Sequence, residues 1–331
     1  MSRARRVAVV GATGAVGQEF LAVLAERRFP LASLRLLASP RSAGRRLRFA
    51  GEELPVEPLT PDAFRGVDLA LFSAGGTVAR EYARHAVAAG AVVVDNSSAF
   101  RMDPNVPLVV PEINLAAARN HQGVIANPNC STILLCLTLR PLQVAAGLRR
   151  VVVSTYQAAS GAGQRAMEEL RAATTSLVLE GRRPAPKVLP HSLAFNLFPQ
   201  VDVFTEGGFT REEDKMQNET RKILDLPDLP VEATCVRVPV ERCHSESVSV
   251  ELDRSLTPAA AREAFVRAAG VVVVDGDPAY PMPVFVAGTD PVAVGRIRAS
   301  RAFAHGLCYW LVGDQLRKGA ALNAVQIAEN L

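Results

Sequence analysis

The strongest constraint on this chain is a glycine-rich turn close to its start. Val9-Val10-Gly11-Ala12-Thr13-Gly14-Ala15-Val16-Gly17 follows the apolar run Arg6–Val10 and leads into Gly14–Glu26, where Val16, Phe20, Val23 and Leu24 recur on one helical face. A strand, a glycine turn and a helix in that order open a βαβ unit. The glycines permit a tight turn and let the backbone approach a pyrophosphate, and the helix N-terminus offers free N–H groups and a partial positive charge. Gly11, Thr13, Gly14, Ala15 and Val16 are therefore the expected cofactor-binding residues. The plainer alternative is a tight turn with no ligand. The alternation continues, with strands expected at Leu34–Ala38, Asp68–Phe72 and Ala91–Asp95 and a helix at Thr77–Ala89. This pattern specifies an α/β parallel sheet with ligands at the carboxyl ends of its strands.

Beyond about residue 130 the texture changes. An apolar helix, Thr132–Ala146, leads into a β-branched strand, Arg150–Gln157, and alternating patterns follow at Thr234–Pro239 and Ser247–Leu252. This reads as a second, mixed α+β domain with a more antiparallel sheet. The last segment, Gln315–Leu331, reads as an amphipathic helix that packs back on the first domain. No apolar run approaches the length of a membrane span. The basic start Met1–Arg6 runs straight into a strand pattern, without the apolar region of a signal peptide. A net charge of +4 and 5% aromatic residues, with no basic run interleaved with aromatics, give no nucleic-acid signature. The cysteines at 130, 136, 235, 243 and 308 show neither Cys-x-x-Cys nor metal-ligand spacing. Reduced thiols in the cytoplasm and no metal site are the expectation.

Two local features carry chemistry. After the second strand an NAD site would place an acid for the ribose 2′-OH, but this chain has Ser39-Pro40-Arg41-Ser42-Ala43-Gly44-Arg45-Arg46. Ser39, Arg41 and Ser42 suit a 2′-phosphate, so NADP is expected; the alternative is a solvated basic loop. Then Asn127-Pro128-Asn129-Cys130-Ser131-Thr132 lies between the strand Val124–Ala126 and the apolar helix. A thiol at a helix entrance has its thiolate stabilised by the dipole and nearby N–H donors, and the polar setting favours a nucleophile over a small core residue.

These segments resemble the aspartate-semialdehyde dehydrogenase family. The resemblance includes Gly11–Gly17, Asp95–Arg101, Val109–Asn114, Asn127–Thr132, Ser154–Gly163, Cys235–Val240, His244–Ser247 and Lys318–Glu329, in order and over essentially the whole chain. It implies a Rossmann domain of residues 1–129 and 312–331, and a catalytic and dimerisation domain of residues 130–311 in a homodimer. It implies reversible, NADPH-dependent reductive dephosphorylation of aspartyl phosphate to aspartate semialdehyde, through a thioester on Cys130. The same resemblance makes His244 the acid/base and Gln157 the residue that orients the substrate. Arg237 grips the substrate carboxylate, Glu212 its amine, and Asn129 also contacts it. Arg101 and Lys215 hold phosphate. Gly75, Gly76, Thr77, Ser160 and Gly161 line the cofactor path, with Asn323 and Gln326 closing over it. N-acetyl-γ-glutamyl-phosphate reductase shares this chemistry but resembles Asn-Pro-Gly-Cys-Tyr at the nucleophile. The Ser-Cys-Thr-Thr-Asn motif of glyceraldehyde-phosphate dehydrogenase is absent. A non-catalytic NADP-binding relative would usually lack the nucleophile or the acid/base.

Replacing Arg41 by Glu is expected to weaken NADP binding about tenfold or more, the loss of one charge-assisted contact. Titration with both nucleotides checks this: unchanged NADP affinity alongside tighter NAD binding would refute the assignment of the loop.

Overall fold

The computed structural model describes residues 4–275 and 279–331, so the expectation for Met1-Ser2-Arg3 lies outside the described residues. The chain divides into two compact units, Met1–Asn129 with Ala320–Leu331, and Cys130–Gly319.

In the first unit, β1 (Arg5–Val10), β2 (Leu31–Ala38), β3 (Arg46–Phe49), β4 (Glu52–Pro58), β5 (Leu69–Phe72), β6 (Val92–Asp95) and β7 (Val124–Ala126) form a sheet in the order β3-β4-β2-β1-β5-β6-β7. All neighbours are parallel except the β3–β4 hairpin, which the sequence reading did not foresee. The continuous apolar runs follow from burial on both faces. Val7 and Val9 of β1 join one core with Phe20 and Leu24 of α1 (Ala15–Glu26). Ala8 and Val10 join the opposite core with Ala79, Ala83 and Ala86 of α2 (Gly76–Ala88). A short α3 (Pro111–Asn114) follows.

The C-terminal segment differs from its expected form. Residues 312–319, expected with the first unit, group with the second, because Val312 and Gly313 pair with Ser245 and His244 in the second sheet. A π-helical turn, Arg317–Ala321, then precedes the helix Leu322–Glu329. That helix is apolar on nearly every side: Leu322, Ala324, Val325, Ile327 and Ala328 all enter the first core. Its end is held by a bidentate pair of Glu329 with Arg27, both bonds 2.6 Å.

The second unit opens with α4 (Cys130–Ala146) and β8 (Arg150–Gln157), then α5 (Gln164–Glu180), α6 (Arg211–Leu224), β9 (Val231–Arg237) and β10 (His244–Glu251). It continues through α7 (Pro258–Arg267), β11 (Val271–Val273), α8 (Pro283–Val286), β12 (Val292–Ala299) and β13 (Gly306–Gly313). The sheet order is β11-β12-β13-β10-β8-β9. It is mixed: β8–β9 and β11–β12 are parallel, the other neighbours antiparallel. Both β9 and β10 begin three residues earlier than expected, at Val231 and His244, so His244 is the first strand residue and not part of a turn.

The start of α6 is fixed by its own sequence. Thr210 and Glu213 form a reciprocal cap: Thr210 N–H donates to Glu213 Oε2 at 2.6 Å and Glu213 N–H to Thr210 Oγ1 at 3.4 Å. Glu213 Oε1 also accepts from Cys235 N–H at 2.8 Å, tying the helix start to β9. Glu213→Ala removes the cap and leaves a buried strand N–H without its acceptor. An expected loss of about 2–4 kcal/mol in urea unfolding follows, and a change below about 0.5 kcal/mol would contradict this account.

Candidate active site

In the first unit the expected cofactor residues cluster at the carboxyl ends of the strands. Gly11, just after β1, has φ +84°, and a Cβ there would lie 2.3 Å from the Ser73 carbonyl oxygen. A Cβ on Gly17 would lie 2.2 Å from Gly11 O, so the loop closes on itself only without side chains at either position. Gly14 precedes α1 as its cap, with Ala15 and Val16 the first helical residues. Thr13 Oγ1 donates to Ser42 Oγ at 3.4 Å, which joins this loop to the turn after β2 that carries Ser39 and the exposed Arg41. Gly75 caps α2, and Gly76 and Thr77 begin it. Arg101 is buried; its Nη2 donates to Asn96 O at 2.7 Å and its Nε to Asn127 O at 3.0 Å.

Asn323 and Gln326, expected beside the cofactor, have other partners within this unit. Asn323 Nδ2 donates to Val109 O at 2.9 Å and Asn127 Oδ1 at 2.7 Å, and Gln326 Nε2 donates to Glu112 Oε1 at 3.1 Å. Asn96, directly after β6, holds both of its side-chain amide atoms buried without a hydrogen-bond partner. The sequence reading did not single it out, although its place after a parallel strand was a usable signal.

In the second unit the sheet register assembles the chemistry. Gln157 pairs with Arg237 across β8–β9. Beyond the Ser245–Tyr156 pair of β8–β10, His244 lies beside Gln157, and it pairs with Gly313 of β13. Arg237, Gln157 and His244 thus form one row across three strands, all buried. A Cβ on Gly313 would strike Leu134, so α4 packs directly over this row. Cys130 is the first residue of α4, where the helix dipole favours a thiolate. Asn129, just before it, is buried. A Cβ on Gly319 would come within 2.9 Å of Cys130 Cβ, so the π-helical turn presses its bare glycine against this cysteine.

Polar contacts lock the row. Gln157 accepts from Thr155 Oγ1 at 3.0 Å through Oε1 and donates from Nε2 to Glu212 Oε1 at 3.1 Å. The other Glu212 oxygen accepts from Lys215 Nζ at 3.1 Å, and that ammonium also donates to Asp202 at 2.8 Å. Burial opposes the Lys215 charge, but Glu212 and Asp202 outweigh it and raise the lysine above its ordinary value. Arg237 Nη1 donates to Ala158 O at 2.6 Å. Burial lowers the guanidinium from its ordinary range, and Glu212, Cys130 and Cys235 act in its favour, in that order. Burial and the nearby Arg237 charge push His244 well below the usual imidazole value. Ser160 Oγ accepts from Gln315 Nε2, and Gln315 Oε1 accepts from Cys243 N–H at 2.8 Å. Gln315 was therefore missed as the residue that fixes Ser160, because its strand-end position emerges only when β13 is in place. Among the described residues, no cluster of three or more His, Cys, Asp or Glu side chains is arranged to hold a metal, and no helix is long and apolar enough to cross a membrane.

Known proteins resemble this chain in sequence and in fold. The family described as semialdehyde dehydrogenase, NAD binding domain, matches residues 6–121, and semialdehyde dehydrogenase, dimerisation domain, matches residues 139–318. Aspartate-semialdehyde dehydrogenase from Synechocystis sp. is 54% identical over 98% of this chain and 97% of its own length. The enzyme of that name from Aquifex aeolicus is 52% identical, again over 98% of this chain and 97% of its own length. The crystal structure of aspartate semialdehyde dehydrogenase II from Vibrio cholerae superposes with a TM-score of 0.96 at 43% identity, covering 99% of this chain and 98% of that one. Its complex with ASA gives a TM-score of 0.97 at 42% identity and the same coverage. None of these relatives favours the reductase or the non-catalytic alternative. With both domain families matched in order and full-length identity above half, this chain belongs to the aspartate-semialdehyde dehydrogenase family.

Proposed function

We propose that this chain interconverts aspartyl phosphate and aspartate semialdehyde with NADP as the redox partner, supplying the biosynthesis of lysine, threonine, methionine and isoleucine. The observation that carries the reading is the buried row Arg237–Gln157–His244, with Glu212 bonded to Gln157, Lys215 bonded to Glu212, and the first residue of α4 a cysteine. Relatives of that name at about half identity over the full length support it.

The first unit fits a dinucleotide. The loop Gly11–Gly17 is a cradle that side chains would fill, and Asn96 presents an orphaned amide at the same strand ends. The loop would hold the pyrophosphate, Ser39, Arg41 and Ser42 the 2′-phosphate, and Gly75, Gly76 and Thr77 the path to the nicotinamide, which Ser160 and Gly161 would flank. When bound, the nicotinamide supplies the hydride chemistry.

Cys130 attacks the acyl carbon and carries the aspartyl group as a thioester. Arg237 offers the substrate carboxylate a planar bidentate donor. Glu212 offers its amine a buried carboxylate, which disfavours an N-acetylated substrate that lacks the ammonium. Gln157 orients the reacting group, and Asn129 borders it. Arg101 and Lys215 bind the phosphate, consistent with a lysine kept fully charged by its neighbours. The second unit's membership in the dimerisation family supports a homodimer, and five free thiols suit the cytoplasm.

The reading is tested by phosphate-dependent reduction of NADP⁺ with aspartate semialdehyde, beside N-acetylglutamate semialdehyde. Turnover is expected with the first aldehyde, with a fall of at least about 10⁴ in Cys130→Ala. Turnover only with the second aldehyde would overturn the substrate, and undiminished activity in Cys130→Ala would overturn the mechanism.

A further inference from the structure

The segment from Phe198 to Thr210 ties Arg237 to the start of α6. At one end Phe198 N–H donates to Arg237 O at 3.2 Å, and Arg237 N–H to Phe198 O at 2.9 Å. At the other, Arg211 N–H donates to Val203 O at 2.8 Å, and Phe204 pairs with Thr210. Asp202 lies between these anchors with φ +69°, a left-handed conformation that aspartate adopts more readily than most residues. Its Oδ1 accepts from Val203 N–H at 2.9 Å, and its Oδ2 accepts from Lys215 Nζ at 2.8 Å. The turn therefore delivers a carboxylate to the ammonium that the functional reading gives to phosphate.

Lys215 is thus held between two carboxylates, Asp202 and Glu212, and bonds to no other acceptor among the described residues. Together the three groups are net negative, yet an incoming phosphate is itself an anion. The two carboxylates are not equivalent. The Glu212 side chain is 6% exposed and also bonds to Gln157, so parting it from the lysine would strand a buried charge. The Asp202 side chain is 29% exposed, and water can solvate it as it leaves the ammonium. Burial opposes the Asp202 charge, but Lys215, the Val203 N–H and Arg211 outweigh this and keep it ionised.

We propose that Asp202 is a positioning residue that competes with phosphate for Lys215: it holds the ammonium in the resting site and gives way when the anion binds. The proposal rests on the functional reading above. Glu212 keeps its bond throughout and aims the ammonium, while Lys215 exchanges a carboxylate oxygen for a phosphate oxygen. No covalent bond changes and no proton moves in this exchange. Its effect is to weaken phosphate binding by the worth of the Asp202 pair. Phosphate then leaves more easily when aspartyl phosphate is the substrate, because the carboxylate is at hand to take the ammonium back.

The test is steady-state kinetics of the whole protein in the phosphorylating direction, with inorganic phosphate varied. Asp202→Asn keeps an oxygen for the Val203 N–H and tolerates the left-handed backbone, but removes the charge. The KM for phosphate is expected to fall about two- to fivefold, the worth of a part-exposed ion pair, with the KM for aspartate semialdehyde unchanged. Asp202→Gly suits that backbone better still and is expected to do the same, so it stands in if the Asn variant does not fold. An unchanged or raised KM for phosphate would overturn the proposal, since an aspartate that only braces the turn gives that result. In a Lys215→Ala background the gain is expected to vanish. The same gain there would show an effect not exerted through Lys215, and would overturn the proposal equally. Failure of the functional reading looks different: the unaltered protein would show no phosphate-dependent reduction of NADP⁺. Calorimetric titration with inorganic phosphate would still show whether Asp202→Asn binds it more tightly.

Discussion

The second unit is organised around one buried carboxylate, Glu212. It takes the Gln157 amide on one oxygen and the Lys215 ammonium on the other, and its field supports the Arg237 charge. Removing one partner from a buried charge of this kind costs about 3–5 kcal/mol, because the remaining charge stays uncompensated. The orientation of Gln157, and through it the environment of His244, therefore depends on Glu212 staying where the Thr210–Glu213 cap puts it. Because Glu212 occupies the site as an anion acceptor, a second ionised carboxylate is unfavourable nearby, and Glu246 is pushed toward its neutral form.

The second organising element is backbone. The segment Ala158–Ser160 donates to His244, accepts from Arg237 and anchors on Val240 and Glu241. It holds both side chains by groups that no substitution of their own side chains removes. Such a segment gives a site its accuracy, since positioning errors of an ångström cost orders of magnitude in rate. The π-helical turn at Arg317–Ala321 plays a similar part for Cys130, where only a glycine at 319 fits against its side chain.

Much of the first unit could be read locally. The glycine loop, the flanking strand and helix, and the missing acid after β2 are short-range patterns that follow chain periodicity. The β3–β4 hairpin was missed because its strands are half exposed and lack a strong apolar run. The C-terminal helix was misjudged because an apolar stripe on one face is indistinguishable, in sequence, from a helix that a surrounding core buries on nearly all sides. Asn323 has the composition of a ligand-binding residue, but its amide is bonded to Val109 and Asn127, and no periodicity reports such a partner.

The sequence by itself determined which residue types were available at the junctions: a cysteine at a helix entrance, glycines after a strand, arginines where an NAD site needs an acid. It also determined, through the Thr210–Glu213 spacing, where α6 begins. Only the tertiary structure decided that Gln157, Arg237 and His244 stand in one row, because strand register is a long-range choice set by packing and not by local propensity. It also decided the orientation of Gln157, whose amide nitrogen donates to Glu212 brought in by α6. Cys130 was legible as a cysteine at a helix entrance, and it is the first residue of α4. What the fold added is the buried row of Arg237, Gln157 and His244, placed by strand register between residues tens of positions apart in the chain.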